Sequence, residues 1–162
     1  MTIQQLPAAA RIPSPWRNGG GVTREVAADP AGAWRVSLAL VAADGAFSLF
    51  PEFARVLTVV EGAGLELTVG DAAPVTLTPL RPFAFPGHLP TTARLLDGPV
   101  TALNLMTRDP GATVTLTPGG GELRPAPGGA VLALALDGYD AVLVEHPCTA
   151  PGPDGRGVLI EL

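Results

Sequence analysis

Glycine and proline interrupt this chain from end to end, and that punctuation constrains its fold more than any other feature. The 162 residues hold 20 Gly and 18 Pro, spread along the sequence instead of gathered in a linker. Proline lacks a backbone donor and glycine costs backbone entropy, so neither suits a helix interior. Between the breakers, apolar and polar residues alternate over short runs, and heptads or long 3.6-residue stripes are absent. The pattern predicts about ten to twelve short strands joined by turns, with no helix, in an antiparallel β-sandwich or barrel. A hydrophobic content of 47% supplies a core and argues against disorder.

Ile3 to Leu6 reads as an edge strand. Asp29-Pro30-Ala31-Gly32 is a turn, followed by a two-faced strand from Trp34 to Val41. Asp44-Gly45 turns again before the aromatic run Phe47-Ser48-Leu49-Phe50. Arg55 to Gly62 is a buried strand, with Leu65 to Gly70 as its expected hairpin partner. In Val100 to Arg108, Leu103, Leu105 and Thr107 face one way, and Ala102, Asn104, Met106 and Arg108 the other. Thr113–Thr117, Val131–Leu136 and Tyr139–Glu145 follow as strands, and Val158–Leu162 is placed to close a sheet. Val131–Val144 loosely repeats Arg55–Thr68 about 75 residues on, with Asp137-Gly138 echoing Glu61-Gly62. Two similar halves or two generic hairpins account for this equally.

The densest stretch is Pro15-Trp16-Arg17-Asn18-Gly19-Gly20-Gly21-Val22-Thr23-Arg24-Glu25-Val26. Consecutive glycines need a reason, either a positive φ or a close approach of backbone to something else. A turn leading into a strand fits. Val22 and Val26 share one face, Thr23 and Glu25 the other, and Arg24 breaks the alternation. An arginine on an apolar-facing position needs a buried partner or a water-filled pocket. The stretch is no phosphate loop, because it lacks the following Lys-Ser/Thr and leads into a strand.

Several chemistries are excluded or disfavoured. A net charge of −5 with no basic run argues against nucleic acid as a partner. All ten cations are arginine, which rules out Schiff-base chemistry at lysine and leaves only planar forks suited to carboxylates. The single Cys148 excludes an internal disulfide and reads as an inert thiol. His88 and His146 have no metal-ligand spacing, and His88 reads as an exposed loop residue. Ser37 and Ser48 lack the context of an activated nucleophile. No apolar run reaches membrane-spanning length and no leader is visible, so no membrane partner and a cytoplasmic location are expected.

What remains is a set of polar residues on strand positions where a plain core would put apolar ones. These are Arg24, Arg35, Ser37, Arg55, Asn104 and Arg108, with Arg17, Asn18 and Thr23 beside the glycines. On one reading they line the mouth of a barrel and bind a small anion. On the other, the arginines sit outside and pair with Glu25, Glu52, Glu61 or Glu66.

These residues also carry a family resemblance. The Pro15–Glu25 stretch resembles the N-terminal motif of the HutD/Ves family. Trp34-Arg35-Val36-Ser37, Asp44-Gly45-Ala46-Phe47-Ser48, Phe50-Pro51, Arg55, Glu61-Gly62-Ala63-Gly64, Phe83-Ala84-Phe85, Leu96-Asp97-Gly98-Pro99-Val100 and Asn104-Leu105-Met106 match its later motifs in order. The match runs from about Trp16 to Arg108, and the region beyond it matches poorly. Arg17 stands where lysine is expected, and His88 where an acidic residue is common.

The resemblance implies an all-β, cupin-type (RmlC-like) antiparallel β-barrel in a bicupin arrangement. Residues 1–162 would form one unit, with the motif-bearing barrel over 1–108 and a smaller half over 109–162. It also implies a regulatory or protective small-molecule-binding role in bacterial histidine utilisation, with formylglutamate or urocanate as suggested ligands. Cupins usually hold a metal on a cluster of histidines, and this chain has only His88 and His146, far apart in sequence, so no metal and no other cofactor are expected. The ligand-binding set is Arg17, Asn18, Thr23, Arg24, Arg35, Ser37, Arg55 and Asn104. Two other classes compete: a metal-free isomerase or hydrolase using Glu25, His88 or Asp44 as acid or base, and an interaction protein whose exposed β-edges form a homodimer.

Overall fold

A computed structural model describes residues 2–162. Among them are seventeen strands and one short 3₁₀ turn, Ala8–Ala10. The all-β expectation is met, with more strands than the alternation signals. The extra ones are pieces such as Pro13–Pro15, Gly45–Ala46, Glu122–Leu123 and Ala150–Pro151, too short to carry a period. No helix among the described residues is long and apolar enough to cross a membrane.

The chain divides into two compact units. One is Ile12–Pro110; the other is Gly111–Leu162 together with the N-terminal segment up to Arg11. The N-terminal strand therefore does not belong with the motif-bearing region. Ile3–Leu6 pairs antiparallel with Ala141–Glu145, Ile3 opposite Val144.

In Ile12–Pro110 a six-stranded sheet runs in the order Pro13–Pro15, Gly21–Ala28, Trp34–Val41, Val100–Thr107, Ala54–Glu61, Phe83–Pro86. A four-stranded sheet runs Gly45–Ala46, Thr91–Leu95, Leu65–Val69, Val75–Leu77. Both sheets supply one core. Val41, Leu57, Val59, Phe85, Val100 and Ala102 come from the first, and Leu65, Leu67, Val69, Leu77 and Ala93 from the second. Neither sheet closes on itself, because the outermost strands of each have one paired neighbour. The expected closed barrel is corrected to two open sheets packed through their apolar faces.

The expected hairpin between Arg55–Gly62 and Leu65–Gly70 is also corrected. Ala54–Glu61 pairs with Val100–Thr107 and Phe83–Pro86, whereas Leu65–Val69 pairs with Thr91–Leu95 and Val75–Leu77. Gly62 and Gly64 take φ of +106° and +113° and swing the chain from one sheet into the other. A β-carbon at Gly64 would lie 2.4 Å from the Leu77 carbonyl oxygen, so the corner admits only glycine.

In the second unit a five-stranded sheet runs Ile3–Leu6, Ala141–Glu145, Ala130–Ala135, Gly157–Glu161, Thr113–Thr117. Glu122–Leu123 pairs with Ala150–Pro151. Here Ala130–Ala135 and Ala141–Glu145 do form a hairpin, with Leu134 opposite Ala141. The segment that echoes it, Arg55–Thr68, crosses between sheets, so the apparent repeat does not extend to strand pairing. Cys148 is a half-buried free thiol against this unit's core.

Candidate functional site

Strand register explains how the site forms. Side chains alternate across a strand, so paired residues form rows on one face of a sheet. Three such rows cross the six-stranded sheet. The first is Thr23, Ala39, Ala102, Val59; the second is Glu25, Ser37, Asn104, Leu57; the third is Arg35, Met106, Arg55, Phe85. The apolar end of this face joins the core, and the polar end opens into a cavity of about 400 Å³. That size suits a small metabolite. Val41, Leu57 and Ala102 belong to both core and cavity wall.

Seven of the eight expected ligand residues line this cavity: Arg17, Asn18, Thr23, Arg35, Ser37, Arg55 and Asn104. Arg24 does not. It pairs opposite Leu38 and Pro13, on the face away from the cavity, and is exposed. The correction has a simple cause, since the inward face of this strand is the polar one, carrying Thr23. Arg108 also lies outside the cavity, with Nη1 donating to Glu52 at 2.9 Å and Nε to the Gly32 carbonyl at 2.8 Å.

The glycine stretch builds the rim. The Trp16 amide donates to the Gly21 carbonyl, and Gly19 turns the chain at φ +75°. Trp16 Nε1 donates to Thr23 Oγ1 at 2.8 Å, and the indole meets Phe47 edge-on with centroids 5.8 Å apart. Asn18 Oδ1 accepts from the Gly20 amide at 2.8 Å, while its Nδ2 donates to the Ala46 carbonyl at 3.3 Å. Asn18 thereby ties the glycine turn to the segment that carries Phe47.

The arginines differ in what surrounds them. Arg17 is exposed at the rim. Arg35, partly exposed, donates from Nε to Glu25 Oε1 at 3.0 Å, a surface pair worth little stability. Arg55 is only 4% exposed. Its Nη1 donates to the Ser48 carbonyl at 3.2 Å, and its Nε is buried with no partner. The guanidinium carbon lies 5.0 to 5.8 Å from the ring centroids of Phe85, Phe50 and Phe47. Aromatic faces attract the cation but do not neutralise it. Burial pushes the Arg55 pKa down to about 10, and no carboxylate acts in the other direction.

The aromatic surround of Arg55 escapes sequence reasoning. Phe47 and Phe50 sit in an irregular segment without periodicity, and their one available signal is an aromatic run placed after Asp44-Gly45 where no strand needs it. The candidate acids and bases lie elsewhere. Glu25 pairs with Arg35, His88 is exposed in a turn, and Asp44 accepts from the Leu95 amide at 2.8 Å. Among the described residues, the cavity wall contains no His, Asp, Glu, Cys or Tyr. Nor does any group of three or more His, Cys, Asp or Glu among them stand close enough to hold a metal. The residues present do not fit the metal that a cupin-type fold implies.

The all-β fold is shared with solved structures of low sequence identity. Escherichia coli YhhW, a pirin solved in complex with nickel(II), matches over 99% of each chain with a TM-score of 0.73 at 10% identity. Closer matches lie in one family. The HutD family model covers residues 8–145. HutD from Pseudomonas fluorescens SBW25 (formate condition) is 31% identical over 99% of this chain and 97% of that one, with a TM-score of 0.86. A conserved protein of unknown function from Pseudomonas aeruginosa PAO1 is 26% identical, covering 99% and 96%, with a TM-score of 0.84. The chain belongs to the HutD family, and the family match runs well beyond Arg108, where sequence motifs alone end.

Proposed function

We propose that this chain is a binding protein whose cavity holds the carboxylate of a small anionic metabolite against Arg55, with a regulatory or protective role in histidine utilisation. One observation carries the reading: a buried guanidinium in a cavity wall, with no counter-charge from the protein. An unpaired buried charge is expensive and persists where something else neutralises it. One uncompensated deep cation suits one carboxylate, whereas a phosphate dianion would need more positive charge and a nest of backbone amides. Family membership supports the link to histidine utilisation, and formylglutamate and urocanate are the acids to try first. The absence of acid–base groups from the described wall favours binding over turnover. We read the two units as the two halves of a bicupin, with the ligand in the Ile12–Pro110 half.

A thermal-shift screen tests this reading. Formylglutamate, urocanate, glutamate and simple dicarboxylates are each added to the purified protein. Ligand at about a hundred times its dissociation constant adds about 2.7 kcal/mol of stability. The reading expects at least one carboxylate to raise the midpoint, and Arg55→Met to remove the rise. A set of carboxylates that leaves the midpoint unmoved would overturn it.

The affinity also carries a pH signature. Arg55 must be charged to hold an anion, and in the ligand-free fold it loses its proton near pH 10. Affinity should stay level from about pH 6 to 9, then fall up to tenfold per pH unit above about 10. An exposed arginine, its pKa not lowered by burial, would hold its affinity through pH 11. Titration calorimetry at pH 8, 9.5 and 11 separates the two.

A further inference from the structure

Arg55 is not the cavity's only polar group short of a partner. Asn104 is 7% exposed and lines the wall, and its Oδ1 is buried without a hydrogen bond. It sits mid-strand in Val100–Thr107, opposite Ser37 on one side and Leu57 on the other. Arg55 is opposite Met106, so Asn104 and Arg55 are diagonal neighbours on one face. Such neighbours are about 7–8 Å apart along the sheet, within reach of one small molecule.

Packing does not explain the amide. Of the residues beside it on this face, Leu57, Ala102 and Met106 are apolar and Ser37 is polar, but Ser37 does not bond Oδ1, and an apolar residue would fill the position without burying an unpaired acceptor. The two orphaned groups are complementary in type. A guanidinium needs an acceptor, and a carbonyl oxygen needs a donor. Resting on the carboxylate reading above, we propose that Asn104 is the specificity residue of this cavity, its Oδ1 accepting a hydrogen bond from an N–H or O–H carried by the ligand a few bonds from its carboxylate. The ligand class narrows from small carboxylic acids in general to acids bearing such a donor. An acid of the same shape without one leaves Oδ1 buried and unpaired, whereas an acid with the donor gains a hydrogen bond there, and that difference separates the two.

Two acids isolate the donor. N-acetylglycine and levulinate share a skeleton in which the amide N–H of the first is a methylene in the second. N-acetylsarcosine keeps the amide and replaces its hydrogen with methyl. Calorimetric or NMR titration of the unmodified protein should give N-acetylglycine about tenfold tighter binding than levulinate, with N-acetylsarcosine no better than levulinate. Asn104→Leu should bring the ratio close to one by weakening N-acetylglycine while leaving levulinate no weaker. Asn104→Ala, which cannot overfill the site, should do the same. Equal binding of N-acetylglycine and levulinate by the unmodified protein, or an unchanged ratio in both variants, overturns the role of Asn104 and leaves the carboxylate reading standing. If neither acid binds, and formylglutamate and urocanate fail as well, the carboxylate reading falls and takes this inference with it.

Discussion

Replacing Arg55 with methionine should raise the stability of the ligand-free protein while removing its affinity for carboxylates. The two effects have one origin. The guanidinium is buried and has no counter-charge, so the fold bears its desolvation. Methionine is shorter but of broadly similar volume, is flexible enough to pack towards Phe47, Phe50 and Phe85, and needs no solvation. Exchanging buried ionic groups for apolar ones of similar volume is often neutral or stabilising by about 1–4 kcal/mol. Lost cation–π attraction offsets part of this, and Ser48 is exposed, so water can replace the hydrogen bond to its carbonyl. A net gain of about 1 kcal/mol corresponds to a rise of about 2–4 °C for a chain of this size. Binding should weaken by more than a hundredfold, since a charge-assisted contact is lost where water is excluded. Melting curves with and without ligand read both effects. A strongly destabilised Arg55→Met would mean that the cation is structural, with a counter-charge of its own.

The second large effect concerns the glycines of the rim, which are not equivalent. A β-carbon at Gly21 would lie 2.4 Å from the Leu40 carbonyl oxygen and 3.0 Å from Trp16 Cδ2. Both neighbours are fixed, one as strand backbone and the other by its bond to Thr23. Gly21→Ala should therefore cost about 3 kcal/mol and lower the melting temperature by about 6–12 °C. Gly19 has no heavy atom within 4 Å of the added carbon, and only its positive φ resists substitution. Gly19→Ala should cost about 1 kcal/mol. Thermal unfolding of the two variants checks the order. The reverse order would place the constraint in the turn and not in the approach of Trp16 and Leu40 to the first strand residue.

Much of this was legible in the sequence because polar residues stood where alternation demands apolar ones. Ser37, Arg55 and Asn104 each stand at a strand position where a plain core would put an apolar residue, and register brings all three to one wall. Arg24 was misplaced by the same logic. The valines beside it mark the face turned away from the cavity, and the inward face is the one that looks polar. The chain's crossing at Glu61-Gly62-Ala63-Gly64 was illegible because an acid–glycine turn also closes hairpins. Only the positions of Pro99 and Leu77 against those glycines send the strand into the other sheet. The pairing of Ile3 with Val144 depends on contacts between the two ends of the chain, about which local pattern says nothing. Phe47 and Phe50 reach Arg55 from a segment with no period, so their role emerges only in three dimensions.

The central claim is that Arg55 receives a carboxylate, and a crystal structure of the protein with formylglutamate or urocanate tests it most directly. The account predicts a carboxylate oxygen within about 2.7–3.0 Å of the Arg55 guanidinium, and a ligand atom bonded to Asn104 if the further inference also holds. A ligand held at the rim by Arg17 or Arg35, with only water beside Arg55, would contradict it.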